Sequence, residues 1–227
     1  MFFILFASFG NAEIPLGLFP DCSEENQEQC PNDLKEKWYL IDWVPEIAKE
    51  SVRDIELSYG SGNGVNPAWA HSTGRFDVTV GIMDSGIKWE KGDLRYKYFL
   101  NRAELPIPQL EDGSEAEDYD ANGDGVFNLR DYKDDPRVQE DAGITGDNDK
   151  LDVSDLLYTF SDGIDDDGNG FIDDISGWDF FEQDNDAFHT LTRGYGTHGE
   201  GVARSAAAEG GDGGDIGVCP NCSILPL

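Results

Sequence analysis

Apolar and polar positions divide the chain into short blocks. Residues 2–9 are nearly all apolar and lead into small residues, with Gly10 and Ala12 where a signal peptidase would read. Residues 1–12 are therefore expected to be a shortened signal peptide, although they lack the usual positive start. Residues 13–33 are polar and read as a loop carrying Cys22 and Cys30, and residues 34–57 bring Trp38, Leu40, Trp43 and Ile47 for packing, with Pro45 limiting any helix. Asn66-Pro67 predicts a short helix through Trp69. The run from Val78 to Gly86, V-T-V-G-I-M-D-S-G, is apolar and β-branched until Asp84, the pattern of a buried parallel strand closed by a Ser-Gly turn. Ligands in open α/β sheets gather at the carboxyl ends of strands, where Asp84 would sit. An ordinary strand followed by an Asx turn accounts for the same residues.

Helical character returns over residues 201–209, where Val202, Ala203 and Ala206 to Ala208 make a small-residue face, closed by Gly210-Gly211. A last apolar run, Ile224 to Leu227, reads as the start of another strand. Because the sequence stops inside that element, an amino-terminal fragment of a larger domain is expected. No stretch is long and apolar enough to span a bilayer, so no stable membrane insertion is expected.

Composition sharpens this outline. The 227 residues suffice for one sizeable domain, yet only 38% are apolar and the net charge is −31. Between Glu111 and Asp186 there are 26 Asp and Glu against 4 Lys and Arg, a net of −22. Such a segment repels phosphate and excludes nucleic acid as a partner, and it points to divalent cations as the counter-charge. The four cysteines fall into local pairs, Cys22 with Cys30 and Cys219 with Cys222, although four thiols allow three connectivities. An oxidising, secreted, extracellular or periplasmic setting suits them; four free thiols in the cytosol is the other reading. One C-P-N-C supplies too few ligands for zinc.

The charge is organised. Asp120 to Asp131 reads D-A-N-G-D-G-V-F-N-L-R-D, with oxygen ligands Asp120, Asn122, Asp124, Asn128 and Asp131 at loop positions one, three, five, nine and twelve. Gly125 occupies the sharp-turn position six and Phe127 can pack inward, the spacing of an EF-hand-like calcium loop. Asp165 to Asp174, D-D-D-G-N-G-F-I-D-D, repeats the front of that pattern with Asp165, Asp167, Asn169 and Asp173; Ser176 falls at position twelve, leaving Asp174 or Asp179 to close the shell. A third stretch, Asp147 to Asp155, keeps only Asp152 and Asp155 and is expected to be a solvated turn. Two occupied Ca2+ loops would allow an acidic segment this dense to compact.

From Gly196 the chain reads G-T-H-G-E-G-V-A-R-S-A-A-A-E-G, and from Ile216 I-G-V-C-P-N-C-S-I-L-P-L. Together with V-T-V-G-I-M-D-S-G, these segments resemble the subtilisin-like serine peptidases, over roughly Trp69 to Leu227. The resemblance implies an α/β fold with a doubly wound parallel sheet, incomplete here, and the acidic calcium-loop segment would be inserted within it. It implies that Asp84 is the triad's orienting carboxylate and His198 its general base, in the family's order Asp, His, Ser. A rival register on Y-G-T-H would put Tyr195 in the base position; the spacing from His198 to Val202-Ala203 favours His198. His71 and His189 stand outside any motif. The chain departs from the family at Glu200, where threonine is usual, and at Arg204, where glycine is usual. No serine in a G-T-S setting and no oxyanion asparagine follow His198.

The expected organisation is a signal peptide over 1–12, an extension with a cysteine pair over 13–58, and a partial peptidase domain over 59–227. The acidic calcium-binding insertion occupies 111–186 of that domain. The expected activity is that of a secreted serine endopeptidase acting on protein or peptide substrates, with these 227 residues inactive alone. The alternative is a non-catalytic extracellular calcium-binding protein derived from the same fold. A cohesin-binding or adhesive module would need a second full loop in tandem, which the Asp165 loop is not.

Overall fold

The computed structural model describes residues 38–40, 62–90, 92–140, 142–143, 150–188, 198–210 and 215–227. The expected signal peptide, the Cys22–Cys30 pair, nearly all of the 13–58 extension, His189 and Tyr195 lie outside the described residues. The regular elements that carry the site are helix α1 (Val65–Trp69), strand β1 (Thr79–Ile82), helix α2 (Val153–Phe160), helix α3 (His198–Ala207) and strand β2 (Ser223–Pro226).

The two apolar runs that the sequence marks as strands pair with each other. β1 and β2 are parallel, in register from Thr79 opposite Ser223 to Ile82 opposite Pro226. On the far side of β2, Ile224 donates to the Lys97 carbonyl and accepts from Phe99 N–H, both at 2.8 Å, so Tyr98 continues the parallel ladder. The chain leaves β1, returns at Tyr98 beyond β2, crosses the acidic segment and α3, and re-enters between them as β2. Parallel strands cannot be joined by a tight turn, and the long excursion supplies the crossover.

Apolar residues from each segment meet over this sheet. Trp89, Tyr98, Leu129, Tyr132, Leu156, Ile175, Ala203 and Ile224 are all buried in one cluster. Ala203 and Ala207, wholly buried, let α3 lie close to the sheet, as its small-residue face predicts. The helix runs from His198 to Ala207, starting three residues before the predicted 201–209 span. β1 corrects one expectation. It is parallel but mostly not buried: Ile82 is 5% exposed, whereas Val78 is 47% and Met83 80% exposed. An apolar run predicts two covered faces only when elements pack on both, and among the described residues β1 is an edge strand.

Cys219 and Cys222 form a disulfide, the local pairing of the C-P-N-C run. Gly74, at φ +95°, passes directly against that disulfide, where a Cβ would collide with Cys219 Sγ.

Candidate active site

At the carboxyl end of β1 the chain turns sharply through Asp84, Ser85 and Gly86, the last at φ +85°. The turn is held by Ser85 N–H donating to Asp84 Oδ1 at 2.7 Å, and Asp84 N–H donates to the Leu227 carbonyl at 3.2 Å. Across from it, α3 begins with His198, whose Nδ1 lies 2.7 and 2.8 Å from the two Asp84 oxygens. An ionised carboxylate only accepts, so Nδ1 carries the proton and Nε2 is the nitrogen left to receive one. The His198 hydrogen bond, followed by that from Ser85 N–H, holds the Asp84 carboxyl below the ordinary range. The carboxylate is 19% exposed and the imidazole 73%, so the ring is anchored at its inner nitrogen and open at its outer edge.

This contact across 114 residues depends on Gly199. Its N–H donates to Ser85 Oγ at 3.1 Å, and a Cβ there would lie 2.5 Å from the Gly86 carbonyl oxygen and 3.2 Å from Asp84 Cβ. Only glycine lets the first turn of α3 rest on the Asp84 turn. Beside them a cavity of about 530 Å³ opens, lined mainly by Met83, Gly86, Phe180, Phe181 and Leu227.

The two acidic loops share one internal pattern. Asp120 accepts from the N–H of Asp124 and Gly125, and Asp165 from those of Asn169 and Gly170. The third-position oxygen accepts from the fifth-position N–H in each, Asn122 from Asp124 at 2.8 Å and Asp167 from Asn169 at 2.9 Å. The fifth accepts from the seventh, Asp124 from Val126 and Asn169 from Phe171. Gly125 and Gly170, at φ +85° and +97°, make the turns that direct these oxygens inward.

Three expectations in these loops change. Asn128 is fully buried and caps a one-turn helix (Leu129–Tyr132), its Oδ1 accepting from Arg130 N–H at 2.8 Å. Asp173 turns back, both its oxygens accepting from Asp162 and Gly163 N–H at 2.8 and 2.9 Å. Asp174 stands in its place: Asn101 and Asn169 each donate to both Asp167 and Asp174. Asp179 accepts from Phe181 and Glu182 N–H in a separate turn. Asp152 and Asp155 are buried in the capping box of α2, not in a solvated turn. Asp131 accepts from Asn122 and Asn128 N–H, facing the loop that begins at Asp120. Burial, with Asp124 and Asp120 nearby, pushes its carboxyl up to about 6.

Sequence reasoning missed Glu104. It is 5% exposed, accepts from Asp167 N–H at 3.2 Å, and groups with Asp165 and Asp167 within 4.8 Å. Burial, then the charges of Asp174 and Asp167, raise its carboxyl. It stands in a separate one-turn helix (Arg102–Glu104), and no local spacing connects it to the loop.

The parallel strands thus carry a carboxylate–imidazole pair at their carboxyl edge. A model of the subtilase family matches residues 76–227, and the chain belongs to that family. It is a subtilisin-like peptidase at the level of the family, whose members commonly bind calcium and are often secreted. No curated protein matches the chain.

Proposed function

We propose that these residues supply the orienting carboxylate and the general base of a serine endopeptidase. The observation that carries the reading is His198 Nδ1 held between both oxygens of Asp84 at 2.7 and 2.8 Å. With Nδ1–H fixed, Nε2 would take the proton of a serine hydroxyl as its oxygen attacks a peptide carbonyl, then return it to the leaving amine. Asp84 stabilises the imidazolium formed between those steps. The apolar cavity next to Asp84 suits an apolar side chain of a protein or peptide substrate. Neither serine in or after α3 is placed as nucleophile: Ser205 donates to the Gly201 carbonyl within α3, and Ser223 is buried against Thr79 Oγ1.

We assign the peptidase part to residues 59–227, with 111–186 as a calcium-binding insertion and 1–12 and 13–58 as signal peptide and extension. The donor set fits calcium. All side-chain donors named for both loops are hard oxygens, and burial together with neighbouring carboxylates raises the Asp131 and Glu104 carboxyls, an excess of negative charge that a divalent cation would offset. Asp120, Asn122, Asp124 and Asp131 would hold one ion; Asp165, Asp167, Asn169, Asp174 and Glu104 would hold another. Calcium would supply counter-charge that orders the segment. The Cys219–Cys222 disulfide supports a secreted setting. No helix of the described residues is long and apolar enough to cross a membrane.

Two measurements test the proposal. Proton NMR of the chain should show a far-downfield His198 Nδ1–H resonance that Asp84→Asn removes. The 227 residues alone should neither cleave casein nor be labelled by a fluorophosphonate. A missing resonance, or labelling at Ser205 or Ser223, would overturn it.

A further inference from the structure

The two positions at which α3 departs from the family pattern meet in the structure. Glu200 is 5% exposed, and its Oε1 lies 3.8 Å from Arg204 Nη1 one turn later. Arg204 also reaches off the helix: Nε is 2.7 Å from Asp215 Oδ2, and Nη2 is 3.2 Å from Asp93 Oδ2. Asp93 Oδ2 further accepts from Asp215 N–H at 3.3 Å, and the Asp93 carbonyl accepts from Glu209 N–H at 3.1 Å. One guanidinium thus ties α3 to the turn ahead of Tyr98 and to the segment leading into β2. Threonine at 200 and glycine at 204 could make none of these ion pairs.

A carboxylate as deep as that of Glu200 is tolerated only with compensation, and a buried charge stripped of its counter-ion is strongly destabilising. The two departures therefore make sense together and not singly. The consequence reaches the His198–Asp84 pair through Gly199, the residue before Glu200, which rests on the Asp84 turn with no room for a Cβ. A small rotation or slide of α3 would lengthen the His198–Asp84 contact. We infer that Glu200 and Arg204 are a mutually compensating pair, and that Arg204 is a positioning residue that holds α3, and with it His198, against Asp84. The positioning role rests on the reading of His198 as the base.

Arg204→Met tests this in the full chain with calcium, since it keeps the aliphatic stem and helix propensity and removes the charge. It should lower the melting midpoint by roughly 5–10 °C and broaden or abolish the His198 Nδ1–H resonance. Adding Glu200→Thr should recover part of the midpoint loss, although Glu200→Thr alone lowers the midpoint, while the resonance stays weakened because the ties to Asp215 and Asp93 remain absent. Arg204→Lys should retain the resonance. Independent, additive effects of Glu200→Thr and Arg204→Met would overturn the pair, and an unchanged resonance in Arg204→Met would overturn the positioning role. If Arg204→Met does not fold, recovery of folding by Glu200→Thr supports the pair and failure to recover overturns it. A resonance absent from the parent, or surviving Asp84→Asn, would refute the base reading instead, and the melting cycle would still decide the pair.

Discussion

Gly199 is where a single missing methyl decides whether His198 meets the Asp84 carboxylate. A Cβ placed 2.5 Å from the Gly86 oxygen must move α3 outward, because that atom belongs to backbone. Gly199→Ala, usually favourable in a helix, should here cost about 1–3 kcal/mol and weaken the His198 Nδ1–H resonance. Urea denaturation and NMR read the two effects; a variant as stable as the parent with the resonance intact would show that α3 has slack. A second residue-scale prediction concerns Asp135, which is buried with Arg137 Nη2 at 2.6 Å. Burial raises its carboxyl, but the Arg137 guanidinium and the N–H groups of Gln109 and Arg137 more than reverse this, leaving it below 3.8. A lowered folded-state value stabilises above the unfolded value and is lost as pH falls through the folded one. Arg137→Met should therefore destabilise by about 1–3 kcal/mol at pH 7, the guanidinium being partly exposed, and by much less at an acidic pH below the folded-state value. An equal loss at both pH values would assign the effect to packing alone.

Among elements, the back half of the calcium-loop pattern turns out to be a helix cap. Asn128 and Asp131 make a capping box at one helix start, and Asp152 and Asp155 make the same box at α2. The free oxygen of the second acid reaches to an earlier loop in both cases: Asp131 to Asn122 N–H, and Asp155 to Ala142 and Gly143 N–H. This explains what was and was not legible. The Asp84 turn, the start of α3 and β2 were readable because three separated segments, each ambiguous alone, fall in one order along the chain and meet in the fold. Asx-rich spacing has two uses, since the oxygens that ligate calcium also satisfy backbone N–H groups, and only the fold separates Asp174 from Asp173. The exposure of β1 and the approach of Glu104 depend on distant chain and left no local trace. Because Asp152 Oδ1 accepts from both Ser154 N–H and Ser154 Oγ in a fully buried cap, Asp152→Ala should cost about 1–2 kcal/mol, with no change in calcium response. Thermal melts with and without calcium measure both; a calcium response lost with the cap would make this stretch a working loop after all.

For the whole molecule, the acidic segment is fastened to the sheet by the short stretch between Asn101 and Leu105. Asn101 donates to Asp167 and Asp174, and Glu104 accepts from Asp167 N–H, which engages the second loop. Arg102 stacks on Phe127 of the first loop, 4.7 Å from its centroid, and Tyr119 Oη donates toward the Arg102 and Leu105 carbonyls. The stretch follows directly from Phe99, which pairs with β2. Counter-charge at either loop should therefore stiffen a common anchor, so that the loops report on each other. A ligand at 100 times its dissociation constant stabilises by about 2.7 kcal/mol per site. Chelation should accordingly lower the melting midpoint and open Lys133 and Arg137 to trypsin, and magnesium should not substitute, because the loops offer more oxygens than its compact octahedron takes. Asp165→Ala should weaken protection at Lys133 as well as around its own loop, whereas two independent loops would confine the effect to one side. Trypsin digestion followed by mass spectrometry distinguishes these outcomes, and digestion unaltered by calcium would remove the case for metal in the insertion.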